Sequence, residues 1–347
     1  MKNFTPDFTN IVRAAYNQTP SRISIYEHMI SEKKMEEVLN IEFAHLYGGD
    51  DKDINEFFKG YCRFFKEMTY DTVSFEAIFS GIMPGNGALY GHESGCIKDY
   101  DDFRKYPWDE LPELYFKKNK RYFDTVIRHV PDGMSLVGGI GNGIFECIQD
   151  IVGYMNLCYM KVDDPETYAM LFVKMGDVLY KTWERFLPLY KDHYCIMRFG
   201  DDLGYKSNTM LPPNDVITHI FPQYKRIINL IHSYEKPFLL HSCGNLFSVM
   251  EELIGTGINA KHSNEDTIAP ISVWYEKYGE RIGNFGGIDA DMLCRMDKNE
   301  LKEYIRDIYE KATKAKGVAL GSGNSIPEYV PVENYLNMIE TINELRI

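Results

Sequence analysis

Cysteine is sparse and irregularly spaced in this 347-residue chain, with seven residues, an odd number. That pattern fits reduced thiols in a cytoplasmic enzyme better than a disulfide framework. No apolar run approaches the length of a membrane span. Residues 1–22, MKNFTPDFTNIVRAAYNQTPSR, carry charges and Pro where a secretory leader needs an apolar block. Positive charge is in deficit: 38 Lys and Arg stand against 51 Asp and Glu, a formal net charge of −13. A nucleic-acid or anionic-membrane surface is therefore not expected, and a cleft for a strongly anionic ligand is disfavoured. Internal repeats, low-complexity segments and dividing linkers are also missing. Hydrophobic residues, at 44%, suffice for a full core. A single domain over 1–347 is expected, with residues 1–21 as an N-terminal helical extension.

What the chain does contain is an alternation of short apolar runs and helical patterns. Runs that read as strands lie at 22–26, 72–79, 134–137, 194–199, 238–240, 258–261, 281–285 and 317–320. Between them, stretches such as 32–46, 54–67, 165–190, 213–234 and 292–315 have helical period. In 54–67 the stripe of Phe57, Phe58, Tyr61, Phe64 and Phe65 reads as core. Residues 81–95, GIMPGNGALYGHESG, are glycine-rich but hold no dinucleotide fingerprint. Strand and helix alternating eight times predicts an α/β fold, a (β/α)8 TIM barrel with extra N-terminal helices.

Polar residues gather after the runs and hardly before them. They are Glu27 and His28, Glu146, Asp201 and Asp202, His241 and Cys243, His262, Glu265 and Asp266, Asp289, Ser322 and Asn324. Barrels of this kind carry their chemistry at the carboxyl ends of the strands, so these side chains converge on one mouth. About half are expected to be helix caps or loop hydrogen-bonders. Asp289 stands where an N-cap Asp belongs, and Asp202, shortly before Gly204, suits a turn.

The stretch 236–245, KPFLLHSCGN, is the sharpest signal. Side chains two apart on a strand point the same way, so His241 and Cys243 reach one object together. Imidazole nitrogen and thiolate sulfur suit zinc. They make half a site only, and a buried Cys beside a hydrogen-bonded His is the competing reading.

Four segments, RFGDDLG (198–204), KPFLLHSCGN (236–245), GNFGGIDADML (283–293) and ALGSGNSIPEYVPVENYL (319–336), resemble the uroporphyrinogen decarboxylase superfamily. Within it they resemble the zinc-dependent, corrinoid-linked methyltransferases, O-demethylases in particular. The likeness covers most of the chain and implies a (β/α)8 barrel. It implies zinc on His241 and Cys243, which match the family's His-x-Cys. Members with thiol substrates add a late Cys in a Gly-Cys-Gly setting, and Gly321-Ser322-Gly323 stands there instead. Cys294, Glu146 or another mouth carboxylate is left to complete the ligands, Cys294 being included in the expected metal set. A set of mixed N, S and O donors makes a harder, more Lewis-acidic zinc.

Asp202 and Glu146 are expected as the catalytic groups, with Glu27, Asp201, Asp289, Ser322 and Asn324 lining the substrate. The decarboxylases themselves use an Arg-rich segment after the first strand. Here YEHMISEKK (26–34) puts Glu27 in that place, where like charge repels a polyanionic porphyrinogen. The implied activity is transfer of a methyl group from a small methylated donor to the cobalt of a separate corrinoid protein, with zinc as Lewis acid. An O-methyl compound such as a methoxylated aromatic is the first expectation. Methyl transfer from methylcobalamin to a thiol or folate, and tetrapyrrole decarboxylation, are the alternatives. A homodimer is left open.

Overall fold

The apolar runs of the sequence form eight strands: β1 Ser24–Ile25, β2 Thr72–Ile78, β3 Ser135–Gly141, β4 Tyr194–Gly200, β5 Phe238–His241, β6 Ala260–His262, β7 Gly283–Ile288 and β8 Val318–Ser322. In this computed structural model residues 4–91 and 94–346 are described; His92 and Glu93, in the glycine-rich stretch, and the first three residues of the N-terminal extension lie outside them. Strands β3, β4, β5, β7 and β8 are buried along their whole length. Burial on both faces is why they read as continuous apolar runs, and it requires parallel pairing under a coat of helices. All the ladders are parallel, in the order β1-β8-β7-β6-β5-β4-β3-β2. Gly200 pairs with His241, and His241 with His262, so three strand ends finish at one level.

The sheet curls into a barrel whose seam falls between β1 and β2, which share no ladder among the described residues. Side chains stitch that seam. Arg22 pairs with Asp71, Ser24 Oγ donates to Asp71 Oδ2 at 2.7 Å, and Ser74 Oγ donates to the Glu27 carbonyl at 2.6 Å. The first strand is shorter than the expected 22–26, because one of its sides has no backbone partner.

Helix α1 (Thr9–Ala15) closes the floor of the barrel. Ile11, Ala14 and Ala15 are fully buried against Val137, Ile196, Leu239, Ala260, Phe285 and Ala319. The approach is so close that a Cβ on Gly283 would meet the Ala14 carbonyl at 2.5 Å. The N-terminal stretch thus acts as a plug whose small side chains let the helix sit deep.

Two expected helices break where local chemistry dictates. The pattern at 32–46 becomes α2 (Glu32–Leu39) and a short 3-10 turn, Ala44–Leu46, because Asn40 adopts φ 52° and ends the helix. The pattern at 292–315 divides into Ala290–Arg295 and Lys298–Ala312, since Asp297 and Glu300 form a capping box. Helix α3 (Asp51–Glu67) starts on another capping box, Asp50 with Asp53, and buries Phe57, Phe58, Tyr61, Phe64 and Phe65 as core. Among the described residues no helix is long and apolar enough to cross a membrane.

Candidate metal centre

Where β4 and β5 end, the chain brings Asp202, His241 and Cys243 together. One donor atom from each lies within 4.8 Å of the others. His241 Nε2 is 3.4 Å from Cys243 Sγ and 3.8 Å from Asp202 Oδ1. The Cys243 N–H donates to Asp202 Oδ1 at 2.8 Å, which ties the two strand ends to each other. From the end of β8, Asn324 Nδ2 donates to Cys243 Sγ at 3.4 Å. His241 is buried while Asp202 and Cys243 are half-buried, so the group opens toward the mouth. Burial, and then the charge of Asp202, push the Cys243 thiol well up. A thiol in that condition loses its proton readily only when a cation takes its place on the sulfur. Nitrogen, sulfur and oxygen from three side chains, with an open side, form a donor set that fits zinc.

A chain of hydrogen bonds behind His241 decides which of its nitrogens faces that group. His262 Nε2 lies 2.9 Å from the Ser322 carbonyl, which can only accept, so Nε2 carries the hydrogen. Burial, chiefly, holds both rings well below the usual His range, so both are neutral. His262 Nδ1 is then an acceptor, and His241 Nδ1, 2.7 Å away, donates to it. The lone pair of His241 is left on Nε2, facing Cys243 and Asp202. A proton held on the second nitrogen is the usual outer partner of a metal-binding imidazole. Ser322 is itself fixed: its N–H donates to Glu27 Oε1 at 2.8 Å and its hydroxyl donates to Glu27 Oε2. Burial pushes the Glu27 carboxyl up to about 8 against the opposing pull of those two bonds. His28 stacks on His241 with centroids 3.7 Å apart and planes 8° from parallel.

The remaining predicted residues go to other places. Asp201, buried, accepts from Phe145 N at 3.0 Å, from Glu146 N at 2.8 Å and from the Tyr224 hydroxyl. It caps the helix Ile144–Val152, and burial raises it to about 6. Glu146 accepts from Asn142 Nδ2 at 2.8 Å and from Asp202 N at 3.3 Å. Burial, with Asp201 and Asp202 close by, pushes its carboxyl well above the usual range. Asp289 is an N-cap, accepting from Asp291 N and Met292 N, and also takes the Asp266 N–H at 2.7 Å. Cys294 packs against the core from the helix Ala290–Arg295 and is not one of the three grouped donors. Asp202 holds the place beside His241 and Cys243.

Inside the barrel lies a set that the sequence reading missed. Arg198 Nε donates to Glu76 Oε2 at 2.8 Å and Nη1 donates to the Tyr26 hydroxyl at 2.8 Å. Both ionic side chains are nearly inaccessible, 1% and 5% exposed. Their signal was a charged residue inside an apolar strand, Arg198 in YCIMRFG and Glu76 in TVSFEAI. Lys261, between the inward-facing Ala260 and His262, turns to the helical coat over the ring of Trp274; its ammonium donates to the carbonyls of Ser242 and Ser263, and burial lowers it to about 8.

Comparison with known proteins follows the same lines. The family Uroporphyrinogen decarboxylase (URO-D) matches residues 98–345. A solved structure described as a methyltransferase from Methanosarcina mazei is similar with a TM-score of 0.71 and 12% identity, over 98% of each chain. A B12-independent methionine synthase from Shewanella sp. W3-18-1, in complex with selenomethionine, gives a TM-score of 0.50 and 13% identity, over 85% of this chain and 87% of that one. At these identities the likeness is one of fold. No curated protein matches the chain.

Proposed function

The chain belongs to the uroporphyrinogen decarboxylase family, and from that premise we propose that it is a corrinoid-linked methyltransferase using zinc. In this reading it moves a methyl group from a small O-methylated donor to the cobalt of a separate corrinoid protein. The observation that carries it is the meeting of Asp202, His241 and Cys243 at the mouth of the barrel.

His241 offers Nε2, the nitrogen its hydrogen-bonded partner leaves free. Cys243 offers sulfur, restrained by the Asn324 amide, and Asp202 offers the oxygen. Ser322, in the place of the late Cys of the thiol-specific members, turns its hydroxyl to Glu27 rather than to this group. The set is therefore limited to one sulfur. Zinc bound by such a set supplies Lewis acidity toward the donor's ether oxygen. Glu146 accepts the Asp202 N–H at 3.3 Å and so helps to hold the aspartate that faces the metal group. Arg198, already paired with Glu76, and a Glu27 occupied by Ser322 do not suit a polyanionic porphyrinogen.

Metal analysis and a methyl-transfer assay test this together. Wild-type protein is expected to hold one zinc and to demethylate methoxylated donors in the presence of a corrinoid protein, and His241→Ala to lose both properties. Full activity in zinc-free protein overturns it.

A further inference from the structure

Strands β5 and β6 part where the metal group forms. Their last paired residues are His241 and His262, and the Ser242 N–H closes the ladder on the His262 carbonyl at 2.7 Å. Beyond that bond the two chains turn to different neighbours. The Cys243 carbonyl accepts from Gly204 N at 3.2 Å, past the end of β4, and the Asn264 N–H donates to the Gly323 carbonyl at 2.9 Å, past the end of β8. Cys243 thus lies outside the ladder, on a strand end that β6 no longer holds through its backbone.

A side chain makes that connection instead. Lys261 faces the helical coat and is 3% exposed. Its ammonium donates to the Ser242 carbonyl at 3.3 Å and to the Ser263 carbonyl, the first carbonyl past the end of each strand. The indole of Trp274, on the helix Ile271–Tyr278, has its centroid 4.5 Å from the same nitrogen. Two carbonyls and a ring face occupy the three protons of an ammonium. Phe247, in the loop that follows Cys243, stacks on that indole with centroids 4.6 Å apart and planes 21° from parallel. Taking a cation out of water is costly, and for Arg198 the carboxylate of Glu76 offsets the cost. Lys261 forms no ion pair among the described residues, so only these two carbonyls and the ring offset its burial.

Those bonds act on position. The Ser242 carbonyl belongs to the same peptide as the Cys243 N–H, which donates to Asp202 Oδ1 at 2.8 Å. A peptide is planar, so holding its oxygen from one side and its N–H from the other fixes the orientation of the residue it leads into. The sulfur then stands 3.4 Å from His241 Nε2. We infer that Lys261 is a positioning residue: from behind the sheet it pins the Ser242–Cys243 peptide and so holds the sulfur beside His241 and Asp202. The inference rests on the metal reading only for what the sulfur receives.

Two substitutions test it in the full chain. Lys261→Met keeps the reach of the side chain and removes its donors, whereas Lys261→Arg keeps donors and charge. Zinc affinity, read by competition with a chelator, is expected to fall about 10–100-fold in Lys261→Met and to recover in Lys261→Arg. With cobalt(II) in place of zinc, the sulfur-to-cobalt charge-transfer band is expected to weaken in Lys261→Met and to return in Lys261→Arg. Amide exchange in metal-free protein reads the peptide directly. The Ser242 and Cys243 N–H groups are expected to exchange at least about tenfold faster in Lys261→Met, while amides within β4 keep the wild-type rate. Ile54→Ala, a buried position of α3 on the far side of the barrel, lowers stability without touching this peptide and is expected to leave zinc affinity unchanged. If Lys261→Met does not fold, Lys261→Gln, which keeps one donor group, is read by the same measurements. Folded Lys261→Met with wild-type zinc affinity and wild-type exchange at both amides overturns the inference, as does equal loss of zinc affinity in Ile54→Ala at a matched urea midpoint. Wild-type protein that binds no zinc, with exchange at the two amides still governed by residue 261, removes the metal reading and keeps the role of Lys261. Stoichiometric zinc in the wild type and in Lys261→Met alike, with unaltered exchange, removes that role alone.

Discussion

His241 Nδ1 and His262 Nδ1 lie 2.7 Å apart in the buried interior, so one of them donates to the other. The Ser322 carbonyl settles the direction by requiring a hydrogen on the far nitrogen of His262. His262→Phe removes the acceptor while keeping a ring in the space. Zinc affinity is expected to fall about 10–100-fold, the usual cost of losing an outer partner. NMR of the ring nitrogens in metal-free protein reads the cause directly. His241 carries its proton on Nδ1 in the wild type and is expected to distribute it over both nitrogens in the variant; an unchanged tautomer refutes the relay.

Asp202 does two things at once, offering an oxygen to the metal group and holding the Cys243 N–H. Asp202→Asn keeps an acceptor for that N–H and removes the charge. Stoichiometric zinc is expected to be retained only at raised zinc concentration, whereas Cys243→Ala binds none. Competition with a chelator of known affinity separates the two outcomes.

Glu27 gives a pH dependence with a definite sign. Its folded-state carboxyl stands at about 8, above the ordinary value of 4.5, because burial penalises the charged form. The folded state thus holds this proton more tightly than the unfolded one. The stability this contributes is complete below the unfolded value and is lost as pH rises through the folded one. Between about pH 5 and 8, wild-type urea midpoints are expected to drop more steeply than those of Glu27→Gln. Parallel profiles for the two proteins contradict the assignment.

Arg198 and Glu76 form a buried ion pair deep in the barrel. Removing one partner strands the other, so Glu76→Leu is expected to cost about 3–5 kcal/mol in chemical denaturation. The double variant Glu76→Leu with Arg198→Met is expected to recover part of that loss, because no unpaired charge remains.

Much of the fold was legible in the sequence because a parallel strand buried on both faces leaves an uninterrupted apolar run, as FLLH and VALGS show. Helix breaks were less visible, since Asn40 and the Asp297 capping box act through backbone conformation rather than period. The juxtaposition of His241 and Cys243 could be read from a spacing of two at a strand end, although β5 stops at His241 and Cys243 follows it in the loop. Which of two adjacent aspartates joins them could not. Asp201 and Asp202 are neighbours with opposite errands, one turned to the amides of a helix and the other to Cys243. Arg198 and Glu76 are 122 residues apart, and only the curl of the sheet makes them a pair. His262 became the partner of His241 through strand register, which no local pattern encodes.

Asp71 is fully buried and accepts from the Asp7 N–H, from Arg22 and from the Ser24 hydroxyl. One carboxylate thus fastens the two ends of the sheet and also anchors the segment leading into the floor helix. A hoop closed by a clasp can give at that point while the rest stays rigid. Closure of the barrel and the firmness of its base therefore depend on the same residue, far from the rim where the chemistry is proposed.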